Sequence, residues 1–254
     1  MKEYMQAHPL EYQSVQGKLP FAIELLVFNY ENPMMQNDTL REAISYAFEK
    51  TKELPGYPDQ QAVDQIIPSL SYGYRSKASV YDQKKARHLF STLPKRLREQ
   101  EHVISCHGTP DAKSIPLYYQ WVKESLTGIG MRVKLVMSEE TSPKKGDKNP
   151  AMFIYGRYID PNPLTTFAYY LPGTSTETPK SIDGYLSSFE KAEASESIED
   201  RAKYIQHLSA LIESRHIVIP LHQLFPMYYY SARLKSLGAN INAWDINLQT
   251  LEIK

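Results

Sequence analysis

An α/β fold, with helices flanking a mixed sheet, is what this sequence predicts. Three observations carry the prediction. Phe21–Asn29 is a nearly unbroken apolar run of the kind that forms a buried strand. Leu40, Ala43, Ile44, Ala47 and Phe48 recur at helical spacing. From residue 102 to residue 136 a strand pattern, a helix pattern, a glycine stop and a second strand pattern follow in order, the grammar of a βαβ unit with parallel strands.

Each element has its own local reason. After the first strand, Pro33 marks a turn and Thr39-Leu40-Arg41-Glu42 reads as a capping box opening a helix. Pro55, Gly56 and Pro58 end it, and a short helix is expected over 60–67. Residues 68–79 read as a loop carrying Tyr72, Tyr74 and Arg75. Asp82 caps a helix with Ala86, Leu89, Phe90 and Leu93 inward. His102–Cys106 is a strand. The helix that follows starts near Ser114, shows Ile115, Tyr119, Val122 and Leu126 on one face, and stops at Gly128 and Gly130. Met131–Val136 alternates as a strand, and 139–150 is a polar surface loop.

Met152–Leu171 is the most informative stretch. An apolar strand ends at Gly156-Arg157-Tyr158, turns at Asp160-Pro161-Asn162-Pro163 and re-enters an aromatic segment. Residues 172–180 form a loop. Two helices follow, one with Ile182, Tyr185, Leu186 and Phe189 inward, the next opened by Ser197-Ile198-Glu199-Asp200 with Ile198, Ala202, Ile205, Leu208 and Ile212 inward. Residues 217–221 and 225–231 are strand-like, and the tail from Leu234 is irregular with two short apolar alternations.

Composition bounds the partners. The 254 residues carry 29 basic and 29 acidic side chains, so the segment has no electrostatic reason to contact nucleic acid or an anionic membrane. A single cysteine, Cys106, excludes an internal disulfide framework. The first residues lack the apolar core, about 7–15 residues long, of an export signal, and no run reaches the ~20 apolar residues that span a bilayer.

Little in the sequence reads as catalytic. It has no nucleophile elbow, Walker loop or dinucleotide fingerprint, and Gly128-Ile129-Gly130 lies between a helix and a strand, the wrong order for a phosphate cradle. His102 and His107 flank Cys106, and His216 and His222 bracket a later strand, but neither spacing is that of a helical metal pair or a zinc knuckle. Neither metal nor cofactor is expected. The cluster after residue 154 reads instead as a place that holds something. Arg157 offers a donor fork for an anionic or carbonyl group, Asp160 and Asn162 offer acceptors, and Tyr155 and Tyr158 offer flat walls. The competing explanation is an Asx-type turn with tyrosines packed on a sheet. Tyr72, Tyr74 and Arg75 are secondary candidates.

The order of short motifs resembles one family. Phe28-Asn29 followed by Asn37–Ala47, Tyr81–Leu89, Leu126–Val133, Tyr155–Pro163, and the stretch from Arg201 through Ile219-Pro220-Leu221 are similar to successive segments of the family 5 extracellular solute-binding proteins, the oligopeptide, dipeptide and nickel receptors of ABC importers. The resemblance implies a periplasmic-binding-protein-like lobe that closes on a small-molecule or peptide ligand by hinge motion, without catalysis. Members run to roughly twice this length, in keeping with two lobes. The chain is therefore expected to be a second lobe: residues 1–36 lead in from a first lobe, 37–214 form the main body, and 215–254 return toward the first lobe. In the family's peptide receptors an aspartate anchors the peptide amino terminus. Here that position falls on Ile159, with Asp160 one residue later, and Tyr155-Gly156 stands where the family favours Gly-Trp.

Two settings follow from the resemblance. One is an importer's extracellular lipoprotein receptor, partnered by a permease. The other, favoured by the altered motif, is a cytoplasmic sugar-stress regulator whose fused head binds DNA. Readings of a different class are a metal-dependent hydrolase using His102, His107 or His222, and a ligand-free dimerisation module.

Overall fold

A computed structural model describes residues 11–52, 60–77, 80–108, 115–139, 146, 148–236 and 252–253. Its centre is a six-stranded sheet built from β2 (Ala22–Phe28), β3 (Gln60–Ala62), β4 (Glu101–His107), β5 (Arg132–Ser138), β6 (Met152–Tyr158) and β7 (Val218–Leu224), while β1 (Tyr12–Gln16) lies outside it. The strand order is β3-β7-β2-β6-β4-β5. β4 runs parallel to both β5 and β6, whereas β2 is antiparallel to β6 and β7, so the sheet is mixed as expected. Residues 22–28 and 218–224, close to opposite ends of the chain, thus pair with each other in its middle.

β2 holds that place because it is apolar on both faces, with Leu25, Leu26, Val27 and Phe28 at most 1% exposed. The expected βαβ unit forms: β4 and β5 are parallel in register from Glu101–Arg132 to His107–Ser138, joined through α4 (Leu117–Thr127). Before it come α1 (Asp38–Ser45), α2 (Gln83–Thr92) and α3 (Lys95–Glu99); after it come α5 (Pro163–Ala168), α6 (Tyr185–Ala194) and α7 (Ile198–Ser214). Trp121 of α4 packs against His222 on one face of the sheet, with 5.3 Å between ring centroids. On the other face, α5 and α6 are fastened by a hydrogen bond from the Tyr185 hydroxyl to the Phe167 carbonyl, 2.8 Å.

Beside the sheet, β1 pairs with β8 (Met227–Ser231) in an antiparallel ribbon, and β9 (Leu234–Ser236) pairs with β10 (Glu252–Ile253) where an irregular tail was expected. β1 precedes β2, and β8 follows β7, at the end of the sheet where Ala22 lies opposite both Tyr158 and Leu224.

Several local expectations are corrected. The helix expected over 60–67 is instead the short edge strand β3 followed by bends: pairing of Gln60–Ala62 with His222–Leu224 overrides local propensity. α1 is capped not by Thr39 but by Asn37, whose side chain accepts from the Leu40 amide. On α4 the buried stripe is Tyr118, Trp121, Val122 and Leu126, rotated from the expected face, and Ile115 precedes the helix. Leu186 and Ile198 are 56% and 63% exposed, because each lies in the first turn of its helix beside the buried stripe. The strand ends before Pro161 as expected, and Pro163 opens α5, where its missing N–H costs nothing and Asn162 caps it. The helix stop at 55–58, the start near Ser114 and most of the 139–150 loop lie outside the described residues.

Two motif residues prove to hold the fold. Asn29, fully buried, donates its side-chain amide to the Pro150 carbonyl and ties the end of β2 to the entry of β6. Arg41, also buried, donates to the Met35, Arg215 and His216 carbonyls, pairs with Asp38, and lies over the Tyr30 ring.

Candidate functional site

β6 carries the candidate residues to the end of the sheet, and its alternation splits them between two faces. Tyr155 and Arg157 share the face that the 169–177 segment covers. The Arg157 guanidinium donates to Glu177, 3.0 Å, and to the Tyr155 hydroxyl, 2.7 Å, while Tyr155 donates to the same Glu177 oxygen, 2.7 Å. The Arg157 carbon also lies 4.5 Å from the Tyr169 ring centre and 5.1 Å from that of Tyr170. Burial opposes the Arg157 charge, but Tyr170, Tyr155 and Glu177 outweigh it and keep the group protonated. Burial likewise pushes the Tyr170 phenol up to about 12. Arg157 was expected to meet an anionic or carbonyl group of a ligand; in the structure its charge is met inside the lobe by Glu177. Its Nη1 and the Tyr170 hydroxyl are buried without a hydrogen-bond partner among the described residues.

The turn residues behave differently. Asp160 accepts from the Asn162 amide, 2.7 Å, and Asn162 accepts from the Leu164 amide, 3.1 Å, so both make the turn that launches α5. Asn162 also accepts from the Tyr72 hydroxyl, 2.9 Å, which brings the two sequence-nominated loops together. Tyr74 is half-buried against the core, and Arg75 reaches away to Gln206, 2.6 Å. These two do not join Tyr72.

Tyr158, on the opposite face from Arg157, is 69% exposed beside Phe21. On that face, two residues back, sits Gly156. A Cβ built there would meet nothing within 4 Å. Its backbone lies directly opposite Glu24 of β2, and Glu24 in turn lies opposite His222 of β7. Glu24 is half-buried and accepts weakly from the Gln60 side chain, 3.4 Å. Sequence reasoning passed over Gly156 and Glu24 as site residues, although a glycine inside a strand and one carboxylate inside an apolar run are legible signals of close backbone approach and of a polar task.

The histidines do not gather. His222 sits between a 2.9 Å contact to the Lys50 carbonyl and a 3.3 Å contact to the Tyr118 hydroxyl, and burial lowers its pKa to about 4. His102 is buried at the start of β4, bonded to the Leu97 carbonyl, with its pKa lowered by burial. His107 is exposed at the other end of β4. The three imidazoles are dispersed over two non-adjacent strands, against the hydrolase reading that needed them together. Cys106 is buried, its thiol pushed up to about 12 by desolvation, the wrong direction for a nucleophile. Among the described residues no group of three or more His, Cys, Asp and Glu could hold a metal ion, and no helix is long and apolar enough to cross a membrane.

The mixed sheet flanked by helices is that of a periplasmic-binding-protein-like lobe, the solute-binding class. The chain belongs to a named branch of that class: residues 3–178 match the bacterial extracellular solute-binding proteins, family 5, middle region. Among solved structures, the DppA periplasmic binding protein of Helicobacter pylori in complex with the peptide STSA superposes with a TM-score of 0.78 at 18% identity, over 99% of this chain and 50% of that one. The ABC transporter substrate-binding protein CtaP of Listeria monocytogenes gives 0.77 at 14%, over 96% and 52%. The dipeptide-binding protein of a Pseudoalteromonas species in complex with Met-Leu gives 0.74 at 17%, over 96% and 50%. This chain therefore spans about half the length of those proteins. No curated protein sequence matches it.

Proposed function

We propose that this chain is the second lobe of a solute receptor, holding a small molecule or short peptide without chemical change at the sheet end where β6 gives way to the Asp160–Asn162 turn. The observation that carries the proposal is the bare backbone of Gly156, open on the face shared with exposed Tyr158 and opposite the Glu24 carboxylate. No protein neighbour accounts for the glycine, whereas a ligand main chain lying against the strand would. Glu24 would receive a ligand amine or hydroxyl, Tyr158 would wall the site, and Tyr72 would brace the Asn162 turn. Arg157 and Tyr155 shape the strand from behind.

The β1–β8 ribbon leaves the sheet at the same end. It supports a hinge there, with a first lobe closing over the site and residues 215–254 returning toward it. An importer's permease is the partner this reading implies. The transport-receptor names of structural neighbours favour it over the cytoplasmic regulator, for which the departures at Tyr155-Gly156 and Ile159 speak. For a dimerisation module there is less support: exposed Leu70, Leu117, Leu186 and Ile198 lie on separate elements.

Calorimetric titration with the dipeptide Met-Leu tests the site. The expected result is saturable binding that Gly156→Val abolishes while circular dichroism stays native. Equal binding by wild type and Gly156→Val would overturn the assignment.

A further inference from the structure

A cavity lies at the start of β7, about 13 Å along the strand from His222, the residue opposite Glu24. Its volume is about 130 Å³, and Val218, the first residue of β7, lines it. Two acid–base pairs stand in its walls. Lys50 and Asp64 lie 2.7 Å apart with 6% and 17% of their side chains exposed, and Lys77 and Glu213 lie 3.2 Å apart toward the surface. The pairs sense each other, since Glu213 and Lys77 both act on the Lys50 ammonium. Lys50 donates to the Val63 carbonyl and to Asp64, which leaves one of its three donors uncommitted.

Ser209, 4% exposed and one helical turn before Glu213, also lines the cavity, and its buried Oγ has no hydrogen-bond partner among the described residues. An unsatisfied buried hydroxyl costs free energy that a ligand atom could recover. His216 adds a further polar wall. It occupies the left-handed position of a Schellman turn (φ +47°), where glycine is usual, with the Ile217 amide bonding the Ile212 carbonyl. The imidazole, rather than a bare glycine, faces the cavity and Tyr46, with ring centroids 6.4 Å apart.

We infer that this cavity binds a small aliphatic amino acid as its zwitterion. The two lysines and two carboxylates sum to zero charge, so the walls offer no attraction for a net anion or cation but match a dipolar ligand end to end. Ile66, Ile212 and Val218 provide an apolar floor for a short branched side chain. The volume is close to the ~150 Å³ of an engineered cavity that accepts benzene, so the ligand is of about valine size. The ligand carboxylate would meet the spare Lys50 donor and the Ser209 hydroxyl, and its ammonium would meet Asp64 or Glu213.

The test is titration of the 254-residue chain with L-valine, isobutyrate and isobutylamine, read by thermal unfolding and calorimetry. The expected result is a saturable rise in unfolding midpoint with L-valine alone. Ser209→Val should abolish the rise by filling the cavity, Lys77→Ala at the exposed rim should weaken binding several-fold, and Gly156→Val should leave it intact. Absence of a saturable shift with L-valine would overturn the inference. So would equal binding of isobutyrate, or binding that persists unchanged in both Ser209→Val and Lys77→Ala.

Discussion

Arg157 and Glu177 lie 3.0 Å apart with 16% and 9% of their side chains exposed, and the two tyrosines bonded to or stacked on them complete a buried knot behind the site. Removing one partner of such a pair strands the other charge. Arg157→Leu is expected to lower unfolding free energy by about 3 kcal/mol, measured by urea denaturation. Adding Glu177→Leu should recover much of the loss, since an apolar pair of similar volume desolvates nothing. At this scale the sequence marked the segment but could not assign partners. Arg157 was legible as a fork seeking an anion; that the anion is Glu177, twenty residues on in a Ser/Thr-rich loop, depends on how that loop folds across the sheet. Glu24 and Gly156 were legible only as oddities inside strands, and their juxtaposition needed the β2–β6 register.

Helix α1 shows how element-level signals compete. Both Asn37 and Thr39 are acceptable N-caps, and the Thr39–Glu42 spacing favoured the second. The chain uses Asn37, because the single 3-10 turn Pro33–Gln36 delivers it with extended backbone and its side chain to the Leu40 amide, 2.9 Å. Asn37→Ala should therefore cost about 1 kcal/mol in chemical denaturation, while Thr39→Ala should be nearly silent. The apolar stripe of α1 was nonetheless read correctly for Leu40, Ala43 and Ile44, all fully buried, while Ala47 and Phe48, buried too, lie past the Ser45 end of the helix. Periodicity survives an error in the cap because packing sets the buried face. It fails at first turns, as at Leu186 and Ile198, where a helix projects beyond the layer it covers. β3 fails for the opposite reason: three residues of strand exist only because β7 presents an edge to them.

For the molecule as a whole, motifs that resembled the family include residues that hold the sheet together, and the chain superposes on structural neighbours at only 14–18% identity. Asn29 and Arg41 fasten distant segments. His222 links this core to pH. Held neutral in the folded state with a pKa of about 4, against about 6.5 when unfolded, it contributes stability that is present above about pH 6.5 and lost as pH falls toward 4. That single group should remove about 3 kcal/mol over the window, and burial of His102 and His216 acts in the same direction. Denaturation at stepped pH should show the decline, and His222→Gln, which keeps a donor toward the Lys50 carbonyl, should flatten it.

We propose that solute meets this lobe at the open end of β6. Amide chemical shifts of the isotope-labelled chain, followed while Met-Leu is titrated, test it residue by residue. Saturable movement centred on Gly156, Tyr158 and Glu24 is the expected result. Shifts confined to the residues around Ser45, Ile66 and Val218, or no movement at the strand end under saturating dipeptide, would contradict it.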